Sequence, residues 1–391
     1  MAEAVQPWPF ATGGQMTERY EWLTDGMSPA YGMEYTTRLR RDPRVILTFD
    51  GLESAANRRW LENVVALHGA RRWLVPLVCD AGETTAAAAA ADVGVAVETQ
   101  HRRFAVGGQV LLTIPGDPRR SEVVTISAVH PGGLTLTEPL VDDWPAHSVI
   151  APALPCWLDD TPQFSRFTGE AAPYSVTFRA AAPMPLAEDF GAAEYRDIPV
   201  FEQPVYWSQD PEYTPARRVA TLDDGIGPIL LHDQGGMVLP RIRVEVTALG
   251  AAEIAAHRGL LAAMSGRHHP IWVPSYGADF RLLAVASATA LDVEWSGYSE
   301  WEPQENRRDI RIERYGQPPL YRRITAAAAM GGAVERLVLD AALPAGFTAA
   351  QVAGISFMAL CRQDADVNSL RLWQRGVVQS QLTFEGCRHG L

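Results

Sequence analysis

The stretch from Trp22 to Gly51 occurs twice in this chain. Shifting the sequence along itself by 199 positions places it, without a gap, on Thr221 to Gly250. The identities at that shift are Leu23 with Leu222, Asp25-Gly26 with Asp224-Gly225, Pro29 with Pro228, Arg44-Val45 with Arg243-Val244, Thr48 with Thr247 and Gly51 with Gly250. An ordered series of Gly, Pro and Arg matches at one offset does not arise by chance between two Ala-rich segments. The pattern therefore predicts a tandem duplication, since chance repeats lack such order.

The length of the chain agrees with two units. A chain of 391 residues is too long for one ordinary hydrophobic core and suits two domains of roughly 200 residues. We predict an N-terminal arm with little structure of its own at 1–20, a first repeat at 21–180, a Pro-rich and aromatic connector at 181–213, and a second repeat at 214–391. The aromatic side chains of the connector favour an ordered segment, because a free linker would not carry them.

Charge and hydropathy exclude several classes of partner. The net charge is −12, and all 34 cationic residues are Arg, so binding to phosphate backbones is disfavoured. The first residues have neither the basic start nor the apolar core of a signal peptide. No apolar run reaches membrane-spanning length, and we therefore expect no membrane partner.

Each copy is predicted to open with a strand, a helix and a second strand. In the first copy the strand ends in RVILTFDG and the helix is Leu52 to His68, with an apolar stripe of Ala56, Trp60, Val64 and Leu67 and a stop at Gly69. In the second copy the prediction is a strand at Ile242 to Leu249, a helix at Ala251 to Met264, a stop at Gly266 and a strand at Ile271 to Tyr276.

The remainder of each copy is predicted to be β-structure. Short alternating runs are separated by turn signals such as Pro115 to Pro118 and Pro131 to Gly133, which is typical of sandwiches and barrels. The last runs, YSVTF and SQLTF, form a matched pair ending in Thr177-Phe178 and Thr383-Phe384. The predicted fold class is α+β and mainly β: a duplicated sandwich or barrel unit with one amphipathic helix in each copy.

No catalytic constellation is evident. The chain lacks a Gly-rich phosphate loop, GxSxG and HExxH. The adjacent acids Asp142-Asp143, Asp159-Asp160 and Asp223-Asp224 stand beside turn residues, where capping is the commoner role. His268-His269 precedes a strand, but no acidic or Cys partner is close in sequence. We predict no catalytic, cofactor-binding or metal-binding residue, and a protein that is not an enzyme.

The four cysteines are far apart and form no CxxC pair, which favours buried thiols in a reducing cytoplasm. Cys156 and Cys361 nevertheless occupy matching places in the two copies. A metal or cluster site built from them across subunits is the alternative that this symmetry leaves open.

The positive features are those of an assembly protein. Abundant Arg, an acidic surface and aromatic Pro-rich segments suit subunit packing. Three copies of a two-unit chain, closed into a ring, would display six similar units and could join a six-fold structure to a three-fold one. The residues that we expect to serve the common unit are Asp25-Gly26, Asp224-Gly225, Arg44 and Arg243, either at interfaces or in turns and ion pairs inside each unit.

A series of motifs runs through the first half of the chain: Trp8-Pro9-Phe10, TERYEWLTD at Thr17 to Asp25, G-x-E-Y-x-T-R-L-R-x-x-P-R at Gly32 to Arg44, WLVPLV, and later FAVGGQVLL, LTLTEPL, VIAPALPCWL and YSVTF. The earlier of these motifs resemble the opening of distal tail and upper baseplate hub proteins of long-tailed bacteriophages, and the later ones fit the same frame. The resemblance covers most of the chain, and its motifs are structural.

The resemblance implies a tail-tube-like unit and a virion protein, made in the host cytoplasm, that forms a ring at the distal end of the tail. Its expected neighbours are the tail tube protein, the baseplate hub and the receptor-binding fibres, with DNA only in transit through the lumen. Two units per chain favour a trimer with pseudo-six-fold symmetry over a hexamer. The alternative function is a carbohydrate-binding or carbohydrate-cleaving baseplate module, suggested by the many Trp residues.

Overall fold

The structure is a computed structural model that describes residues 5–9, 15–27, 34–160, 162–166, 168–187, 191–207, 210–234, 236–300 and 306–388. Four residues lie outside the described residues: Phe10, Pro29 and Gly32 of the sequence motifs above, and Phe190 of the predicted aromatic connector. All structural statements below refer to the described part.

The chain is mainly β, with one helix in each half, as the sequence predicted. The elements of the first half are β1 (Gln6–Pro7), β2 (Gln15–Glu21), β3 (Thr24–Met27), β4 (Tyr35–Arg38), β5 (Arg44–Ser54), α1 (Ala55–His68), β6 (Trp73–Pro76), β7 (Gly82–Glu83), β8 (Gly94–Ala96), β9 (Gln109–Ile114), β10 (Asp117–His130), β11 (Gly133–Leu136), β12 (Val149–Leu158), β13 (Gln163–Phe164) and β14 (Ala171–Ala180).

The second half follows a connector with two short strands. The remaining elements are β15 (Glu194–Tyr195), β16 (Ile198–Pro199), β17 (Glu212–Thr214), β18 (Val219–Leu222), β19 (Leu230–Asp233), β20 (Arg241–Leu249), α2 (Gly250–Met264), β21 (Ile271–Pro274), β22 (Leu282–Ser287), β23 (Ala290–Glu294), β24 (Asp309–Arg314), β25 (Gln317–Gly331), β26 (Val334–Leu339), β27 (Val352–Gln363), β28 (Val367–Gln374) and β29 (Val377–Gly386). Neither described helix is long and apolar enough to cross a membrane.

The two halves pair their strands in the same order. In the first half β5 pairs with β14, β6 with β12, β12 with β9, and β9, β10, β11 and β8 follow in turn, all antiparallel. In the second half β20 pairs with β29, β21 with β27, β27 with β24, and β24, β25, β26 and β23 follow in turn. One separate apolar core lies in each of these sheets, and a third, larger core is shared by both halves and includes residues of both helices.

The ungapped alignment is wrong by four residues around the first strand and helix. Cys156 lies opposite Ala180 and Cys361 opposite Gly386, so Phe178 and Phe384 hold the same place in β14 and β29. Phe178 lies opposite Leu47, whereas Phe384 lies opposite Ile242, four positions before the residue that the alignment put on Leu47. An even shift preserves the alternation of inward and outward side chains, so the apolar pattern could not reveal the error.

The matched glycines of that alignment have different roles. Gly51 lies inside β5, where an added Cβ would meet the ring of Tyr174 at 2.6 Å. Gly250 begins α2 with a φ of 77°, and the residue that begins α1 is Ala55. Arg44 and Arg243, which the alignment also matched, are therefore not equivalent positions.

The predicted apolar stripe of the first helix is wrong at Ala56 and Leu67, although Trp60 and Val64 are half-buried and pack against the core. The buried residues of α1 are Arg58, Leu61 and Val65, while Ala56 is exposed and Leu67 is 81% exposed. The face of α1 that is buried therefore includes Arg58, whose guanidinium forms an ion pair with Glu62 at 3.0 Å. Gly69 does end the helix, with a φ of 59°.

The prediction of an unstructured N-terminal arm is wrong for residues 15–20. They form β2, in which Met16 and Tyr20 are buried, and the earlier Trp8 is fully buried against Trp73 and Phe178. Alternation of Met16, Glu18 and Tyr20 on one face was hidden by the charge at Glu18, which is itself fully buried.

Candidate assembly interface

The residues predicted to serve the common unit are not brought together. Asp25-Gly26 lies in β3, and Asp224-Gly225 lies in the turn between β18 and β19. Asp224 accepts hydrogen bonds from the backbone N–H groups of Ile226 and Gly227, which hold the pKa of its carboxyl below the usual value. Arg243 forms an exposed ion pair with Glu212 at 3.6 Å, and Arg44 begins β5 opposite Glu21.

The acidic pairs have different kinds of partner. Asp143 accepts from the backbone N–H of Ala90 at 2.8 Å, Asp159 pairs with Arg179 at 2.8 Å, and Asp223 caps the N–H of Gly225 at 2.8 Å. Of these three contacts, that of Asp223 is a turn cap of the kind that the sequence favoured, whereas Ala90 and Arg179 lie 53 and 20 positions from the acids that they contact.

His268 contributes mainly its backbone to a contact between the halves. Its carbonyl accepts hydrogen bonds from Thr36 and Arg362, and its ring stacks edge-on against His269 at 4.2 Å between centroids. Burial, with the nearby Arg38 and Arg362, lowers the pKa of its imidazole.

Cys156 and Cys361 do occupy equivalent positions, opposite the first residues of β6 and β21. Both are buried, and burial raises the pKa of the Cys156 thiol to about 12. Among the described residues, no three His, Cys, Asp or Glu side chains are placed to hold one metal ion.

A buried ionic network joins the two halves. Asp80, which follows β6, accepts two hydrogen bonds of 2.7 Å from Arg258 of α2 and one of 2.5 Å from Arg103. Arg103 also donates to Glu18 of β2 at 2.9 Å, and Tyr20 donates to Glu18 at 2.6 Å. Two carboxylates therefore face two guanidinium groups in a charge-balanced cluster, in which Glu18, Asp80 and Arg258 are buried.

The pKa shifts of Asp80 and Tyr20 agree with the hydrogen bonds that these residues form in the cluster. Burial alone would raise the pKa of Asp80, but Arg103 and Arg258 outweigh it and leave that pKa below the usual value. Burial, opposed in part by Arg103, raises the pKa of Tyr20 well above its usual value, so the phenol stays a donor. Removing one member would leave a buried charge without its partner, so substitutions that break the Asp80–Arg258 contact should destabilise the docking of the two halves.

Strand β2 belongs to both halves. It pairs with β5 of the first half along one edge and with β28 of the second half along the other, from Met16 opposite Leu372 to Glu21 opposite Val367. The sheet therefore runs without a break from one half into the other.

The hairpin of β3 and β4 docks on the second half. Asp366 accepts from the backbone N–H of Thr24 at 2.7 Å and from its hydroxyl at 2.8 Å. Arg38 donates to Ser265 at 3.0 Å, at the end of α2. Just after α2, a glycine is required at position 266, because φ is 67° there and a Cβ would lie 2.5 Å from Asp366 Oδ1.

A cavity of about 230 Å³ lies beside α2, lined in part by Val200, Glu253 and His257. His257 is fully buried, and its Nδ1 lies 2.6 Å from Gln203 Oε1. Burial, together with the adjacent Arg258, lowers the pKa of its imidazole to about 4. The ring is therefore neutral at pH 7.

The residues that join the halves were missed by the sequence analysis. Glu18, Asp80, Arg103, Arg258 and Asp366 are distant from one another in sequence and form no motif. The usable signal was an ionic residue at the end of an apolar run, as in LVCD at Asp80, and no such run surrounds Glu18. No protein-family model matches the chain, and no curated protein matches it significantly.

Proposed function

We propose that this chain is a structural protein of the tail tip of a long-tailed bacteriophage. In this proposal copies of the chain form a ring at the distal end of the tail tube, in contact with the baseplate hub and the receptor-binding fibres. The observation that carries the proposal is the internal docking of one half on the other through a shared strand, a hairpin and a buried ionic network. A ring subunit needs such an interface between successive units.

We further propose that the halves arose by duplication of one tail-tube-like unit. The equal order of strand pairing supports this, as do the equivalent cysteines and the equal position of the helix in each half. If each unit docks on the next as the first half docks on the second, a closed ring of six units contains three chains. The motif resemblance points to the same class of protein.

Two measurements test this function. Antibodies against the purified protein, applied to phage particles of the source genome, should label the end of the tail farthest from the capsid. The native assembly should have the mass of three chains of 42.7 kDa and show six similar lobes in negative stain. Label on the capsid, or none on intact tails, would contradict the tail-tip assignment. Six chains in the ring would contradict only the pseudo-symmetry. A monomer that binds polysaccharide would favour the carbohydrate-binding alternative.

A further inference from the structure

The docking between the halves leaves one set of contacts without its counterpart. The first half gives β2 and the β3–β4 hairpin to the second half. The equivalent elements of the second half are β17, which pairs with β20 as β2 pairs with β5, and the β18–β19 hairpin. Within the described residues β17 forms a ladder only with β20, and β18 and β19 pair only with each other.

The second hairpin has an exposed apolar surface. Its exposed apolar residues include Ile226, which is 94% exposed, and Leu231, which is 70% exposed; the others are Val219, Leu222, Ile229 and Leu230. Val219 and Leu231 lie on one face of this hairpin, and Leu222 and Leu230 lie on the other. Exposed apolar surface of this kind marks an interaction site.

The two hairpins correspond position by position. Met27 lies opposite Tyr35 and Leu222 opposite Leu230, with the same number of residues in the turn. In the first hairpin, polar side chains contact the second half, namely those of Thr24, Glu34 and Thr36. The equivalent residues of the second hairpin are apolar: Val219, Ile229 and Leu231.

The surface that would receive the second hairpin is also apolar at a position where its counterpart in the second half is charged. Arg362, which lies 4.0 Å from Glu34, follows Cys361 in β27, and the residue at that place in the first half is Trp157. Trp157 is 40% exposed. An ion pair inside the chain thus corresponds to two exposed apolar residues, Ile229 and Trp157, that the chain does not bring together.

The receiving site itself is open in the first half. A groove of about 680 Å³ lies between the end of α1 and the strands β12 and β13, lined by Val65, Ala66, Gly69, Leu158, Asp160 and Phe164. At the equivalent place in the second half, β2 and the first hairpin lie against the end of α2 and against β28. Strand β13 forms a ladder only with β14 among the described residues, so its other edge can accept a strand.

We propose that β17 and the β18–β19 hairpin of one copy dock in this groove of a second copy of the chain. The edge of β17 extends the sheet at β13, with Tyr213 opposite Phe164 of the second copy, as Glu18 lies opposite Leu370 within the chain. The hairpin packs its apolar residues against Trp157. This contact is head-to-tail and deepens the proposed ring, on which it rests.

The test uses one variant on each surface and an exposed control for each. The hairpin variant carries Ile229→Asp and Leu231→Asp, with Val106→Asp as its control on another exposed loop. The groove variant is Ala66→Arg, at an exposed position of α1, with the neighbouring Leu67→Arg as its control, since Leu67 does not line the groove. Circular dichroism and thermal unfolding check that all four remain folded.

Native mass spectrometry and light scattering give the readout. Wild type and both controls should assemble, while the hairpin and groove variants should each have the mass of a single chain, 42.7 kDa. An equimolar mixture of the two variants should form a two-chain complex only, because one intact hairpin and one intact groove remain. A folded variant that still assembles like wild type, or a mixture that stays monomeric, would overturn the proposed surface. A wild-type chain that is monomeric at every concentration would also overturn it, and antibody labelling of tails would then decide the tail-tip function separately.

Discussion

Arg258 has the most consequential side chain in the interface between the halves. It is 5% exposed and donates both ends of its guanidinium to Asp80. We expect Arg258→Ala to lower the free energy of unfolding by about 3 kcal/mol, because Asp80 and Glu18 would then share only Arg103. Urea unfolding at pH 7 measures the change.

Arg59 supplies the control for Arg258. It also lies on a helix and forms an ion pair, with Glu170 at 3.1 Å, but both side chains are more than half exposed. Arg59→Ala should change the free energy of unfolding by less than about 1 kcal/mol. Equal effects of the two substitutions would contradict a structural role for the buried network.

His257 should make the protein sensitive to mild acid. The folded pKa of about 4 lies below the usual 6.5, so the unfolded chain binds the proton more readily. This contribution to stability is complete above pH 6.5 and is lost as the pH falls toward 4, by up to about 3 kcal/mol. In His257→Gln the free energy of unfolding should fall less steeply over this interval. Parallel pH profiles of wild type and variant would contradict the assignment.

For single residues, the sequence predicts the roles that depend on near neighbours in the chain and misses those that depend on distant segments. The turn-capping role of Asp224 followed from its Asp-Gly context, because that interaction spans only a few residues. The buried pairing of Asp80 with Arg258 could not be predicted, because it depends on how two distant segments meet. The same limit applies to Arg58, which lies outside the predicted apolar stripe of α1 and yet is buried.

At the scale of elements, Asp366 holds the β3–β4 hairpin on the second half. Besides Thr24, it accepts from the backbone N–H of Arg267 at 3.0 Å. Asp366→Ala should leave the strands of the sheet intact but free the hairpin, because hydrogen bonds to a charged group contribute about 1.5–3 kcal/mol each. We expect amide hydrogen exchange in β3 and β4 to accelerate at least about tenfold.

Asp224 provides the matched control for Asp366. It caps a turn of the other hairpin, and within the described part of the chain its hydrogen bonds go to Ile226 and Gly227 of that turn. Asp224→Ala should speed exchange only at Ile226 and Gly227, with β3 and β4 unchanged. Faster exchange throughout β20 and β29 in Asp366→Ala would instead indicate global destabilisation.

Element positions were predicted well where alternation was regular. The runs YSVTF and SQLTF, predicted to end each half, lie in β14 and β29, and Cys156 and Cys361 hold equivalent places. Strand β2 was missed because Glu18 interrupts its apolar face. Strand β28 was missed because its inward residues, Asn368, Leu370 and Leu372, begin with a polar side chain.

At the scale of the molecule, the connection between the halves could not be predicted. The sequence predicted two repeats and a connector but not the contacts between the repeats. The structure instead shares a core, a sheet and a charge cluster between them. Such contacts join residues hundreds of positions apart, and their energy depends on geometry that no local pattern encodes.

These contacts predict that the halves stay together after the connector is cut. A protease site inserted at the turn between β15 and β16, at Arg196 and Asp197, would allow cleavage there without altering the contacts of β2 with β28. We expect the two fragments to co-elute in size-exclusion chromatography at pH 7 and to separate only in denaturant, since a shared hydrophobic core, a two-sided strand and a buried ion cluster all remain. The uncut protein with the same insertion is the control. Fragments that separate at neutral pH without denaturant would mean that the halves are independent domains, and that docking of one unit on the next is too weak to form the proposed ring.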